Sequence, residues 1–137
     1  MKIILDTNIV LDVIMKREPF YDISYGVIKQ AILDNTEMIM PTSTVTDAYY
    51  VLNRSDKANA KAVLEQFIRL VEMSEVIPED IMAAFASEMA DFEDAVIVAV
   101  AARIGADYIV TRNKKDFTHS SVPAIAPQDI LVIMKEI

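Results

Sequence analysis

Cysteine and tryptophan are absent from this 137-residue chain, glycine occurs twice and histidine once. Without cysteine there is no disulfide framework and no thiolate metal site. Two glycines and no Ser/Gly/Pro-rich run leave little room for a flexible linker. The single histidine, His119, sits in a polar stretch, where no catalytic role is expected of it. Long apolar runs are missing too. The longest, Ala95 to Ala102, falls well short of the ~18 residues a membrane span needs, and the N-terminus enters a strand with no signal-like segment before it. No membrane association and a cytoplasmic location are therefore expected. Basic residues are also scarce: 13 Lys and Arg against 21 Asp and Glu give a net charge of -8. That balance argues against a passive binder of nucleic acid, whose phosphate affinity rests on Lys and Arg. An enzyme whose carboxylates hold divalent cations escapes the objection, because bound metal reverses the local sign.

What is present is a hydrophobic chain, 53% apolar, of a length that makes one domain spanning 1–137 and buries roughly two-thirds of its unfolded surface. Ile3 to Leu5 reads as a first strand, followed by a helix from about Asn8 to Met15. Apolar residues at helical spacing mark a second helix from Ile23 to Ile32, stopped by Asp34-Asn35. Met38-Ile39-Met40 is a strand ending at Pro41, and Val45, Ala48, Tyr49 and Leu52 form the stripe of a helix capped by Thr42 or Ser43. Asp56 is placed to cap the next helix, and Val76-Ile77 reads as a weak strand. Pro78-Glu79-Asp80 opens a helix with acids in its first turn. A helix from about Asp91 to Ile104 ends at Gly105, and its eight consecutive apolar residues imply burial nearly all round. Tyr108 to Val110 is a strand, Ala124-Ile125 a short last one, and Pro127 to about Met134 a final helix.

Strands alternating with helices imply a parallel sheet covered on both faces, with ligands bound beyond the carboxyl ends of its strands. Asp6 follows the first strand and Thr111, Asn113 and Asp116 follow the Tyr108 strand, while Asp47 and Asp94 are placed in the first turns of helices beginning at that same edge. Scattered acids thus become one pocket. Two unit charges about 4 Å apart repel by roughly 4 kcal/mol at an effective dielectric near 20, so such a cluster needs protons or cations. Oxygen ligands without cysteine fit Mg²⁺ or Mn²⁺ better than Zn²⁺. A metal held there activates water and stabilises charge on a phosphate.

Asp6-Thr7-Asn8, the acid Asp47 within Thr42 to Leu52, the run Asp91-Phe92-Glu93-Asp94-Ala95, and Ile109 to Phe117 with its Thr111-Arg112-Asn113-Lys114-Lys115-Asp116 core together resemble the PIN-domain family over nearly the whole chain. The resemblance implies a three-layer α/β/α sandwich with a central parallel sheet of about four to five strands. It also implies a Mg²⁺- or Mn²⁺-dependent endoribonuclease, often the toxin of a bacterial toxin/antitoxin pair, working as a homodimer and inhibited by a cognate antitoxin. Carried over, Asp6, Asp47, Asp94 and Asp116 are the metal ligands and, with Asn113, the catalytic set; Asn8 and Thr111 support them. Lys16, Arg17, Arg54, Arg112, Lys114 and Lys115 would draw the RNA backbone to the edge. Two positions depart from the family. Asp47 stands where the toxin branch mostly has Glu, and Asn113 where many relatives have Asp, which leaves one metal or two open.

Plainer roles compete at each position. Asp91 reads as an N-cap, with Asp94 supporting the helix dipole; Asp47 can be a solvated surface acid, and Asn113 and Asp116 can form an Asx-type turn. Asp12, one turn past Asn8, reads as an exposed helix acid. A Mg²⁺-dependent phosphatase of the same sheet class is the rival enzyme. Asn8 counts against a haloacid-dehalogenase-like member, which would carry Asp two residues after the first. A PIN-like scaffold that has lost activity and serves as a binding module is the rival outside catalysis.

Overall fold

A computed structural model describes residues 1–135. Five strands, β1 (Lys2–Leu5), β2 (Glu37–Pro41), β3 (Glu72–Ser74), β4 (Tyr108–Val110) and β5 (Ala124–Ile125), pair in parallel in the order β3-β2-β1-β4-β5. Seven α-helices are seen among the described residues: α1 (Thr7–Ile14), α2 (Tyr21–Leu33), α3 (Thr42–Ser55), α4 (Ala60–Ile68), α5 (Pro78–Ala86), α6 (Phe92–Ile104) and α7 (Pro127–Lys135). Lys114–Phe117 forms a single 3₁₀ turn.

The alternation of side chains along each strand sorts the core into two layers. Ile3 and Leu5, Met38 and Met40, and Val110 face one side, where they meet Ile9, Val27, Leu52, Leu64 and Ile130 from α1, α2, α3, α4 and α7. Ile4, Ile39 and Ile109 face the other, against Ile97 and Val100 of α6. The result is the three-layer α/β/α sandwich expected. Strands buried on both faces explain why β1, β2 and β4 are apolar after their first residues.

Strand order reverses at β1. The chain winds outward through β2 and β3, then returns past β1 to lay down β4 on its far side. The carboxyl ends of β1 and β4 therefore flank the switch point, where open α/β sheets form their crevice.

Several local expectations are corrected. The third strand is Glu72–Ser74, not Val76-Ile77; it is an edge strand whose backbone pairs with β2 at Ile39 to Pro41. Pro41, not Thr42 or Ser43, occupies the N-cap of α3, and no side chain caps it. Asp56 is the C-cap of α3 and accepts a bond from Asn59 Nδ2 at 2.9 Å, while Asn59 is the N-cap of α4. Gly105 closes α6 at φ 71° in the left-handed region.

Candidate active site

Asp6 is built into the end of β1. Its own backbone N–H continues the sheet by donating to Val110 O at 3.0 Å, and its side chain caps α1 by accepting from Thr7 N at 2.8 Å. The other carboxylate oxygen accepts from Thr111 Oγ1 at 2.7 Å and from Asn8 Nδ2 at 3.3 Å. Thr111, fully buried at the end of β4, in turn accepts from Asn113 N at 3.0 Å. Thr111 and Asn8 thus hold the Asp6 carboxylate in one orientation. This network needs the two central strands side by side, which is why residues 105 apart in sequence meet.

The carboxyl edge opens into a cavity of about 720 Å³ whose lining includes Asp6, Asn8, Asp47, Asp94 and Asn113. Burial pushes the Asp94 carboxyl up to about 7, helped by the charges of Asp6, Asp91, Asp116 and Glu93. Burial, then Glu93, which stands within hydrogen-bonding reach, pushes Asp47 up to about 6. Asp6 is raised by burial, an effect that the Thr111 and Thr7 bonds oppose and that Asp116 and Asp91 reinforce. Asp91 presses on all three, Asp116 on Asp6 and Asp94, and Glu93 on Asp47 and Asp94, so shared neighbours link the acids electrostatically.

Asp91 is the N-cap of α6, as read from the sequence, accepting from Asp94 N at 2.9 Å, and it also lines the cavity. Glu93 also lines the cavity, although it was not singled out as a ligand. Asp47 lies in the second turn of α3, not the first. Of the six basic candidates, Arg17 and Arg112 line the cavity; Lys16, Arg54, Lys114 and Lys115 do not. Arg54 lies over the ring of Tyr50, itself a lining residue, at 5.7 Å. Asp12 is a further correction: it is fully buried, ion-paired to Arg17 at 2.9 Å and to Arg112 at 2.6 Å.

A family model describing the PIN domain matches residues 2–115. The chain belongs to the PIN-domain family. This PIN domain is 20% identical over 122 residues to Ribonuclease VapC1 of Aquifex aeolicus (strain VF5), a match that spans 85% of each chain. Among solved structures, VapBC2 from Rickettsia felis, bound to a DNA fragment from its promoter, is similar with a TM-score of 0.77 at 18% identity, covering 92% of this chain and 98% of that one. VapC20 of Mycobacterium tuberculosis, a sarcin-ricin loop cleaving toxin, is similar with a TM-score of 0.62 at 15% identity, covering 78% and 86%. The fold is shared with both solved structures. The matched span ends one residue before Asp116, which is exposed on the 3₁₀ turn and acts on Asp6 and Asp94 through its charge.

The donors around this PIN-domain cavity are carboxylate and amide oxygens, which suit a hard divalent cation. Among the described residues no three acids converge into a ready-made cage. An open set of this kind fits Mg²⁺ or Mn²⁺ chemistry, in which one or two carboxylates bind and several waters stay on the ion.

Proposed function

We propose that this PIN domain is an endoribonuclease that hydrolyses RNA phosphodiester bonds with Mg²⁺ or Mn²⁺. The observation that carries the reading is the set of three acids, Asp6, Asp47 and Asp94, around one cavity at the switch point of the sheet, all with raised affinity for protons. Asp6 and Asp94 repel each other and Asp47 is pressed by Glu93 and Asp91, so these oxygen donors form a site for positive charge. Of Asp6, Asp47, Asp94 and Asp116, one or two would bind the cation directly and the rest would act through its waters or by charge; when bound, the cation supplies an acidified water and neutralises charge on the phosphate. Thr111 and Asn8 keep Asp6 from turning away, and Asn113 offers an amide oxygen toward the attacking water. No side chain acts as nucleophile in this scheme.

The relative named a ribonuclease and the neighbour named a sarcin-ricin loop cleaving toxin support RNA as the substrate. The VapC20 neighbour, a toxin, and the VapBC2 neighbour support a toxin role with a cognate antitoxin as partner; a homodimer as the working form and the cytoplasm as its place enter this reading through the family resemblance alone. No helix among the described residues is long and apolar enough to cross a membrane. Exposed apolar residues for such contacts lie on α2 (Ile23, Tyr25, Ile32, Leu33) and on Met82, Phe85 and Phe92 of α5 and α6, whereas Leu64 and Phe67 of α4 face the core.

Asp6→Asn and Asp94→Asn test the function directly. Either change is expected to lower Mg²⁺-dependent RNA cleavage by at least about a hundredfold while circular dichroism shows the fold retained. Wild-type rates in both variants, or cleavage that survives EDTA, would remove the site. Parallel assays on a phosphomonoester separate this reading from a phosphatase.

A further inference from the structure

Asp12 is a buried carboxylate that the proposed hydrolysis leaves without a role, and it is compensated twice over. Its side chain is 0% exposed on α1. Arg17 Nε donates to Oδ1 at 2.9 Å; Arg112 donates to Oδ2 through Nε at 2.6 Å and to Oδ1 through Nη2 at 3.3 Å. One guanidinium neutralises one carboxylate. The second leaves the cluster with a surplus positive charge in a chain of net charge -8.

That surplus faces the cavity. The Arg17 and Arg112 side chains keep 34% and 25% exposure, and every other charged residue lining the cavity is acidic: Asp6, Asp47, Asp91, Glu93 and Asp94. Each guanidinium carries five N–H donors. Arg112 uses two on Asp12, and Arg17 uses one on Asp12 and one on Asn8 O at 3.4 Å, so three remain on each. Their direction is fixed. Asp12 grips both edges, and the Arg112 plane lies over the Phe20 ring with 3.8 Å to the centroid. A rigid planar fork with free donors matches the oxygens of a phosphate. Arg112 also lines an adjoining groove of about 500 Å³ with Phe20, Ile23 and Gln128, so it stands where a strand would leave the acidic cavity, with Arg17 beside it on the cavity side.

We propose that Arg17 and Arg112, held in place by Asp12, form a phosphate-binding subsite for the single-stranded RNA backbone, away from the bond held among the carboxylates. The inference rests on the ribonuclease reading for its ligand. Asp12 is a positioning residue in it. Phosphates beside a strongly acidic cavity need a local cationic grip, and this pair provides one in a protein whose overall charge repels RNA.

The test uses the full chain and a labelled single-stranded oligoribonucleotide, read by anisotropy with Ca²⁺ in place of Mg²⁺ from about 50 to 200 mM salt, with the oligonucleotide checked intact on a gel. Arg17→Gln and Arg112→Gln are each expected to weaken binding about tenfold and to shallow the slope of log affinity against log salt by about 0.7. In cleavage assays KM rises and kcat holds. Asp12→Asn keeps both positive charges, so the salt slope stays while affinity falls and KM rises. A purely structural tie would move thermal stability and leave slope and KM alone. Should Asp12→Asn fail to fold, the arginine variants decide. The subsite is overturned if folded Arg17→Gln and Arg112→Gln bind with wild-type affinity and slope, or if the wild-type protein binds no oligonucleotide. RNA cleavage with unchanged KM in both variants sinks the subsite and spares the ribonuclease. Arginine-dependent binding without any metal-dependent cleavage does the reverse.

Discussion

Asp47 is one methylene shorter than glutamate, and its neighbour in the cavity is Glu93 of α6. The negative charge of Glu93 disfavours the ionised form of the Asp47 carboxyl. Burial raises Asp47 first, and Glu93 then adds charge and a hydrogen bond, which carries it to about 6. Glu93→Gln removes the charge, so Asp47 is expected to titrate at lower pH, as read from the side-chain carboxyl carbon by NMR in metal-free protein. An unmoved Asp47 would mean that the two groups do not interact. Much of this site was legible at the residue scale because a carboxylate after a buried strand, as at Asp6, has few cheap explanations. Asp12 was not. It lies between Leu11 and Val13 on a helix pattern that tolerates an exposed acid, and one of its two partners, Arg112, lies 100 residues further along. Glu93 escaped for a similar reason, since beside Asp91 and Asp94 it reads as one more acid in a helix's first turn.

At the scale of elements, α6 delivers Asp94 and must begin and end at fixed places to do so. Asp91 sets its start by capping Asp94 N. Gly105 sets its end at φ 71°, where a Cβ would find nothing within 4 Å, so the objection to a larger residue is backbone strain rather than a clash. Gly105→Ala is accordingly expected to cost about 1 kcal/mol, lowering Tm by roughly 3–4 °C. RNA cleavage should be unchanged well below Tm, because the strain sits at the end of the helix remote from Asp94. A variant as stable as wild type would show that the chain ends α6 by another route. This cap was readable from Gly105 following an apolar helix, as were β1, β2 and β4 from their β-branched or apolar runs. The third strand was misplaced for a physical reason. Glu72-Met73-Ser74 has no β-branched residue and forms only because the edge of β2 offers unpaired backbone groups at Ile39 to Pro41, a tertiary cause that local composition does not carry. Asp80 shows the same dependence: it bonds Ile77 N at the start of α5, as an acid in a first turn suggests, and also Arg103 at 2.9 Å in the last turn of α6, a partner 23 residues away.

The whole molecule carries a net charge of -8 and concentrates part of it at one edge of the sheet, so its stability should depend on pH and on cations together. Asp94 and Asp47 titrate near 7 and 6 in the folded protein, raised by burial and then by neighbouring acids, against 3.8 for the unperturbed group. Because the folded state holds protons that the unfolded state has released, these groups lend stability that is fully present below about pH 4 and is lost as pH rises through 6 and 7. Both are partly solvated, so screening cuts the loss to about 1 kcal/mol each. Metal-free protein should therefore melt several degrees lower at about pH 7.5 than at about pH 5. A divalent cation bound there would oppose the same repulsion at the same oxygens. At a hundredfold excess over its Kd it adds about 2.7 kcal/mol, roughly 10 °C for a chain of this size. Protons compete for those oxygens, so the Mn²⁺-induced rise in Tm should be large at about pH 7.5 and small at about pH 5. Asp94→Asn should flatten the metal-free pH dependence and shrink the Mn²⁺ effect, both read by scanning calorimetry. An equal Mn²⁺ gain at the two pH values, or one that Asp94→Asn leaves intact, would place the cation away from these carboxylates.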